Sequence, residues 1–311
     1  MRHWLIGTAL AIASPAMAQQ MTVEERSIHD LHMALGSGSP GLTSEAMTRA
    51  YIDRIQTIDR QGPTLRSVIA ISPNALDQAR ASDARRKAGT RLGPLDGIPV
   101  LIKDNIETRE LPTTAGSLAL KDNRTGRDAP LVARLRAQGA VILGKTNLSE
   151  WANIRSSKSM SGWSAVGGLV RNPYALDRSS CGSSSGSGAA VAASLAAVAV
   201  GTETDGSVVC PAAMNGIVGL KPTLGLVSRT HVVPISHSQD TPGPMGRTVR
   251  DVAMLFAAMI GDDPADPATK GAAQHRKDFA QALSVDALQG ARIGYWKPEM
   301  RADLAAAFDA A

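Results

Sequence analysis

The chain has 311 residues, 43% of them hydrophobic, only 3% aromatic, and a net charge of +5. That is long enough for one large domain or two small ones, with a core built from Ala, Val, Leu, Ile and Met. It argues against a nucleic-acid binder, which gathers its positive charge into a patch and stacks bases on aromatics; the arginines from Arg124 to Arg136 are scattered among Asp122, Asp128, Gly126 and Pro130 and read as a solvated face.

The chain opens with Arg2 and His3, an apolar run from Trp4 to Ala13, and the small-residue site Ala16-Met17-Ala18. This pattern predicts a signal peptide over 1–18, cleaved after Ala18, and export to a periplasm or beyond. The run is too short to span a bilayer comfortably, and no later stretch is a stable membrane span. A helix is predicted over Val23 to Leu35, with Ile28, Leu31 and Leu35 on one face. Thr43-Ser44-Glu45 starts a second, whose apolar stripe is Met47, Tyr51, Ile55 and Ile58. Leu65 to Ser72 reads as a strand, and Pro73 opens a helix that runs to Lys87. Ile98 to Ile102 is a short apolar strand with Lys103 at its end. A helix over Pro130 to Gln138 and a strand over Ala140 to Leu143 follow. A Ser/Gly loop then feeds a buried helix that starts at Ala189, and the chain is turning into its next element by Val198 to Thr202. Short buried strands alternating with helices predict an α/β fold, a mixed β-sheet core flanked by helices. Arg292 to Trp296 reads as the start of a strand, and DLAAAFDAA at the end as a helix, so the expectation is a single domain over 19–311, cut short at its C-terminus.

Two segments carry chemistry: SSCGSSSGSGAAVAA from Ser179, and GTETDGSVVCPAA from Gly201. Ser183 precedes Ser207 by 24 residues, and Lys103 lies upstream in GPLDGIPVLIKDN. A serine hydroxyl is a poor nucleophile and needs a base. A lysine can be that base only when neutral, and burial at the end of an apolar strand lowers a lysine pKa by as much as ~3–5 units. The consecutive N–H groups of Thr204, Asp205, Gly206 and Ser207 form a candidate oxyanion nest. Neither segment has the Gly-Lys-Ser/Thr end of a P-loop, a dinucleotide fingerprint, or the GxSxG elbow.

Together with GKTNLSEWAN and GWSAVGGLVRNPY, these segments resemble the amidase signature family of serine hydrolases, in the family's order, from Leu42 to about Ile260. GTETDGSVVCPAAMNGIVGLKPTLGLVSR and PISHSQDTPGPMGRTVRDVA are most similar to the branch of that family acting on peptide amides. The resemblance implies a triad in which Lys103 is the base, Ser183 a relay serine after a cis peptide bond, and Ser207 the acyl nucleophile. It implies hydrolysis of a carboxamide to a carboxylate and ammonia, no cofactor, and a small-molecule or peptide amide as substrate. Many members have Asp-Thr-Gly-Gly-Ser where this chain has Glu203-Thr204-Asp205-Gly206-Ser207, a form shared by the peptide-amide branch. Two other readings stand beside it. One is an amidotransferase-like component, which the signal peptide argues against. The other is a non-catalytic fragment with an amidase-like surface.

The remaining candidates are read as structural. Cys181 and Cys210 could pair in an oxidising compartment, but buried free thiols are the expectation. Lys145 is expected to position the Thr146–Asn147 loop, and Asp240 to anchor a turn. His231 and His237 are read as loop or rim residues rather than partners of Asp240 in a Ser–His–Asp triad. His29 and His32 lie three apart on a helix, but no carboxylate or cysteine cluster joins them to hold a metal.

Overall fold

The structure is a computed structural model that describes residues 22–39 and 41–311; the signal peptide expected over 1–18 lies outside the described residues. The chain divides into two compact units, one running to Ala280 and one over Gln281–Ala311.

The first helix, α1, spans Ile28–Gly36 and buries Ile28, Leu31 and Leu35. It begins later than Val23 because Ser27 and Asp30 form a capping box: Ser27 Oγ accepts from Asp30 N, and the Asp30 carboxylate accepts from Ser27 N at 3.0 Å. Helix α2, Ser44–Arg54, is capped by Thr43 and widens into a π-helical turn over Ile55–Gln61. That turn carries the buried Asp59, whose carboxylate accepts from Ser67 N at 2.7 Å and Val68 N at 3.1 Å. Strand β1 therefore starts at Val68 rather than Leu65 and spans Val68–Ile71. Helix α3 (Ala75–Lys87), strand β2 (Pro99–Lys103), helix α4 (Pro130–Ala137) and strand β3 (Val141–Thr146) follow, close to the expected positions.

A small ribbon, β4 (Trp163–Ser164) and β5 (Gly168–Leu169), precedes the motif region. Helix α5, Ser185–Ala192, starts earlier than the apolar run suggested, and strand β6 is Val198–Glu203. Helix α6 (Val209–Met214), the short β7 (Val218–Gly219), β8 (Thr241–Gly246) and helix α7 (Val249–Met259) complete the first unit's regular core.

The six-stranded sheet has the order β1-β3-β2-β6-β8-β7. Strand β2 runs parallel to β3 and β6, and the outer pairings β1–β3, β6–β8 and β7–β8 are antiparallel. It is thus the mixed α/β sheet expected. Both β2 and β6 are buried along their whole length, which explains the apolar stretches Val100–Ile102 and Val198–Val200. The small residues of α5 let it pack tightly here: a Cβ on Gly186 would stand 2.3 Å from Ser67 O and 2.6 Å from Asn147 N.

In the second unit, α8 spans Ala302–Ala310, as its pattern predicts. The strand expected at Arg292 to Trp296 is not formed; the segment has no regular structure and both Tyr295 and Trp296 are exposed. A strand needs a partner to satisfy its backbone and cover its apolar face, and within this unit none is available. No helix of the described residues is long and apolar enough to cross a membrane.

Candidate active site

Lys103 is the last residue of β2 and is fully buried beside the end of β6. Its Nζ lies 2.7 Å from Ser183 Oγ, 2.8 Å from Thr202 Oγ1 and 3.2 Å from Thr202 O. Three contacts suit both states of the amine. An ammonium donates to all three oxygens. A neutral amine donates to the two Thr202 oxygens and accepts the Ser183 hydroxyl proton. Burial pushes the Lys103 pKa down to about 7, against the pull of Glu203 and Asp240, which favour the ammonium. The lysine is therefore poised to exchange a proton with Ser183 near neutral pH.

Ser183 is itself fully buried, and the Gly182–Ser183 peptide bond is cis. Its carbonyl accepts from Ser149 N at 3.0 Å. The next residue ties the Ser183 loop to the Ser207 segment: Ser184 N donates to Ser207 O at 3.1 Å, and Ser184 Oγ donates to Thr202 O at 3.1 Å. Ser207 is buried to all but 8%. The structure thus brings Lys103 and Ser183 into direct contact and joins the Ser183 and Ser207 segments through their backbones.

The loop from Thr204 to Ser207 leaves β6 for α6. No protein acceptor among the described residues pairs with the N–H of Thr204, Asp205, Gly206 or Ser207. Gly206 has φ +76°, and an added Cβ there would meet nothing within 4 Å. Glycine is required at this position by conformation, not by space. Glu203, buried at the end of β6, fixes the other side of the loop by accepting from Val208 N at 2.7 Å and Val209 N at 2.9 Å.

The two cysteines are not free thiols. Cys181 and Cys210 form a disulfide with Cα atoms 6.0 Å apart, well inside the range a bridge accepts. Two residues before Ser183 and three after Ser207, it closes the same junction that Ser184 N–H spans. The expectation failed because sequence proximity to two serines says nothing about Cα separation until the loops are placed.

Lys145 does not hold the Thr146–Asn147 loop. Its amine pairs with Asp104 Oδ1 at 3.0 Å and donates to Ile106 O at 2.8 Å and Thr113 Oγ1 at 3.0 Å, so it secures the segment leaving β2. Asp240 does anchor a turn, accepting from Ile235 N at 2.7 Å and Ser236 N at 2.9 Å, and it also accepts from Thr204 Oγ1 at 2.5 Å. His237 lies on the rim of a cavity of about 270 Å³ beside the end of β6, also lined by Asn105, Glu203, Asp240, Val233 and Ile235. His32 is held by Pro94 O and Arg91.

Thr202, Asn105 and Glu203 belong to this site, and the sequence motifs did not single them out. Asn105 Nδ2 donates to Thr202 Oγ1 at 2.9 Å, completing a chain from Asn105 through Thr202 to Lys103. The available signal was polarity at the end of a fully apolar strand, where a buried polar group must find a partner.

The fold is a mixed α/β sheet, and the arrangement sets a fully buried lysine at the end of β2 against a buried serine. The family model for amidases matches residues 46–311, and the chain belongs to the amidase family. The chain is 57% identical to the peptide amidase of Stenotrophomonas maltophilia, with a TM-score of 0.78 over 79% of this chain and 50% of that one. A protein of Arabidopsis thaliana named a probable amidase is 45% identical over 283 residues, 89% of this chain and 54% of its own length. An amidase family protein from Bacillus anthracis is 45% identical, with a TM-score of 0.82 over 86% of this chain and 53% of its own. The chain spans about half the length of the curated relatives it matches.

Proposed function

We propose that this protein hydrolyses a carboxamide, a peptide C-terminal amide or a related small amide, to a carboxylate and ammonia. The contact between fully buried Lys103 and Ser183 at 2.7 Å, with a lysine pKa near 7, carries this reading. Neutral Lys103 takes the Ser183 hydroxyl proton, and Ser183 takes that of Ser207. Ser207 Oγ attacks the amide carbonyl, and the N–H groups of Thr204 to Ser207 receive the oxyanion. The proton returns through Ser183 to the departing nitrogen, which leaves as ammonia. Water then repeats the attack on the acyl-enzyme and releases the acid. No step needs a cofactor.

The Cys181–Cys210 bridge supports a periplasmic or secreted location, since disulfides persist in oxidising compartments, and so weighs against a cytoplasmic amidotransferase role.

Ammonia release from a panel of peptide and aryl amides tests the reading. Ser207→Ala and Lys103→Ala are each expected to lower the rate on the order of 10⁴-fold, with labelling by a fluorophosphonate lost in the first. Full activity in Ser207→Ala would end this scheme.

A further inference from the structure

Asp240 is joined to more than its own turn. It immediately precedes β8, and the register that sets Thr241 opposite Glu203 brings it alongside Thr204, the first residue beyond β6. Its two carboxylate oxygens have different partners. Oδ2 accepts from Ile235 N at 2.7 Å and Ser236 N at 2.9 Å, which closes the turn. Oδ1 accepts from the Thr204 hydroxyl at 2.5 Å, a bond the turn does not require. The loop over Thr204 to Ser207 is therefore held at both ends by carboxylates. Asp240 holds Thr204, and Glu203 accepts from Val208 N at 2.7 Å and Val209 N at 2.9 Å, just beyond Ser207. Hydrogen bonds to a carboxylate are roughly twice as strong as those between neutral groups. The same two carboxylates act on Lys103, where both favour the ammonium against the effect of burial. On the neighbouring elements, Lys145 of β3 turns to Asp104 at 3.0 Å instead, and α5 contains no titratable side chain.

We propose that Asp240 is a positioning residue for the hydrolysis: through the Thr204 hydroxyl it fixes the loop whose N–H groups receive the oxyanion. The proposal rests on the amidase reading. Donors fixed beforehand need not reorganise as charge develops on the carbonyl oxygen. Because its charge also favours the ammonium of Lys103, Asp240 couples the geometry of the loop to the state of the base.

The test is the rate at which a fluorophosphonate labels the whole chain, followed from pH 5 to pH 9. Labelling forms the Ser207 Oγ–phosphorus bond, expels fluoride and passes the hydroxyl proton by way of Ser183 to Lys103. The phosphoryl oxygen takes the place of the oxyanion. In the parent the rate is expected to rise with a midpoint near pH 7, as Lys103 becomes neutral. Asp240→Asn keeps the shape and removes the charge, so its midpoint is expected to fall by about one pH unit. Asp240→Glu keeps the charge on a longer arm and is expected to keep the midpoint while losing plateau rate. Thr204→Val leaves both the charge and the turn in place, and its plateau is expected to fall about tenfold with the midpoint unmoved. A residue that only anchors the 235–240 turn would move neither the midpoint in Asp240→Asn nor the plateau in Thr204→Val. An unmoved plateau in Thr204→Val overturns the proposal whatever Asp240→Asn does, and so does an unmoved midpoint in a folded Asp240→Asn. If the parent is labelled and the variants match it, the role of Asp240 falls and the amidase reading stands. If the parent is not labelled at any pH, the amidase reading falls and takes the proposal with it.

Discussion

At Lys103, the burial that lowers the amine pKa to about 7 works against the folded state. In the unfolded chain the amine titrates near 10.5, and in the folded chain near 7. Below pH 7 both states hold the ammonium, and the folded state bears the whole cost of burying it. Between 7 and 10.5 the unfolded state still binds a proton that the folded state has released, so stability rises with pH across that window. Above it both are neutral and the cost is gone. Lys103→Met is therefore expected to be more stable than the parent at pH 6, by roughly 4–5 kcal/mol at most, with the difference fading towards pH 10.5. Urea unfolding of both proteins at several pH values measures it; a pH-independent difference would refute the low folded-state pKa. The serines and the lysine were legible because Gly-rich surroundings and a lysine at an apolar strand end are uncommon together. Thr202 and Asn105 were not, because nothing local distinguishes a polar residue that partners a buried lysine from one that caps a strand.

The ends of β2 and β3 form the next level. Alternation along β2 sends Lys103 toward Ser183 and Asp104 toward Lys145, so adjacent residues serve two buried clusters. Asp104 also accepts from Thr114 N at 3.1 Å and from the Thr114 hydroxyl, while Lys145 holds the carbonyl of Ile106. The segment that positions Asn105 is thus braced by an ion pair almost without solvent contact. Asp104→Ala is expected to cost about 3–5 kcal/mol, because it strands Lys145 as an uncompensated buried charge. Asp104→Ala with Lys145→Met should recover most of that loss, and equilibrium unfolding of the single and double variants checks it. Elements with a clear apolar period, such as α1, α2, β2 and β3, were readable. Their boundaries shifted where a side chain intervened, Ser27 with Asp30 at α1 and Asp59 at β1. Helix α5 was read late because its first turn is serine and glycine, chosen for closeness to Ser67 and Asn147 rather than for helix propensity.

Over the whole molecule, the parts of the site come together from distant stretches of sequence. Lys103 meets Ser183 across 80 residues and Thr202 across 99, so the site forms only when β2 and β6 pair. The sheet's composition announced α/β, but its strand order depends on pairings between segments far apart, which periodicity does not encode. The same holds for Cys181 and Cys210. Their bridge closes a loop of 29 residues, for which chain entropy predicts a loss of about 3–4 kcal/mol on removal. Replacing both cysteines by alanine is expected to lower unfolding stability by that amount, and unchanged stability would show that the cross-link constrains nothing.

The bridge has a topological consequence too. It closes a covalent ring that contains Ser183, helix α5, strand β6 and Ser207. A single proteolytic cut anywhere inside that ring opens it without dividing the molecule. After a cut between Ser183 and Ser207 the two serines stay on one connected piece while the sulfurs remain joined, and part company only when the nicked chain is also reduced.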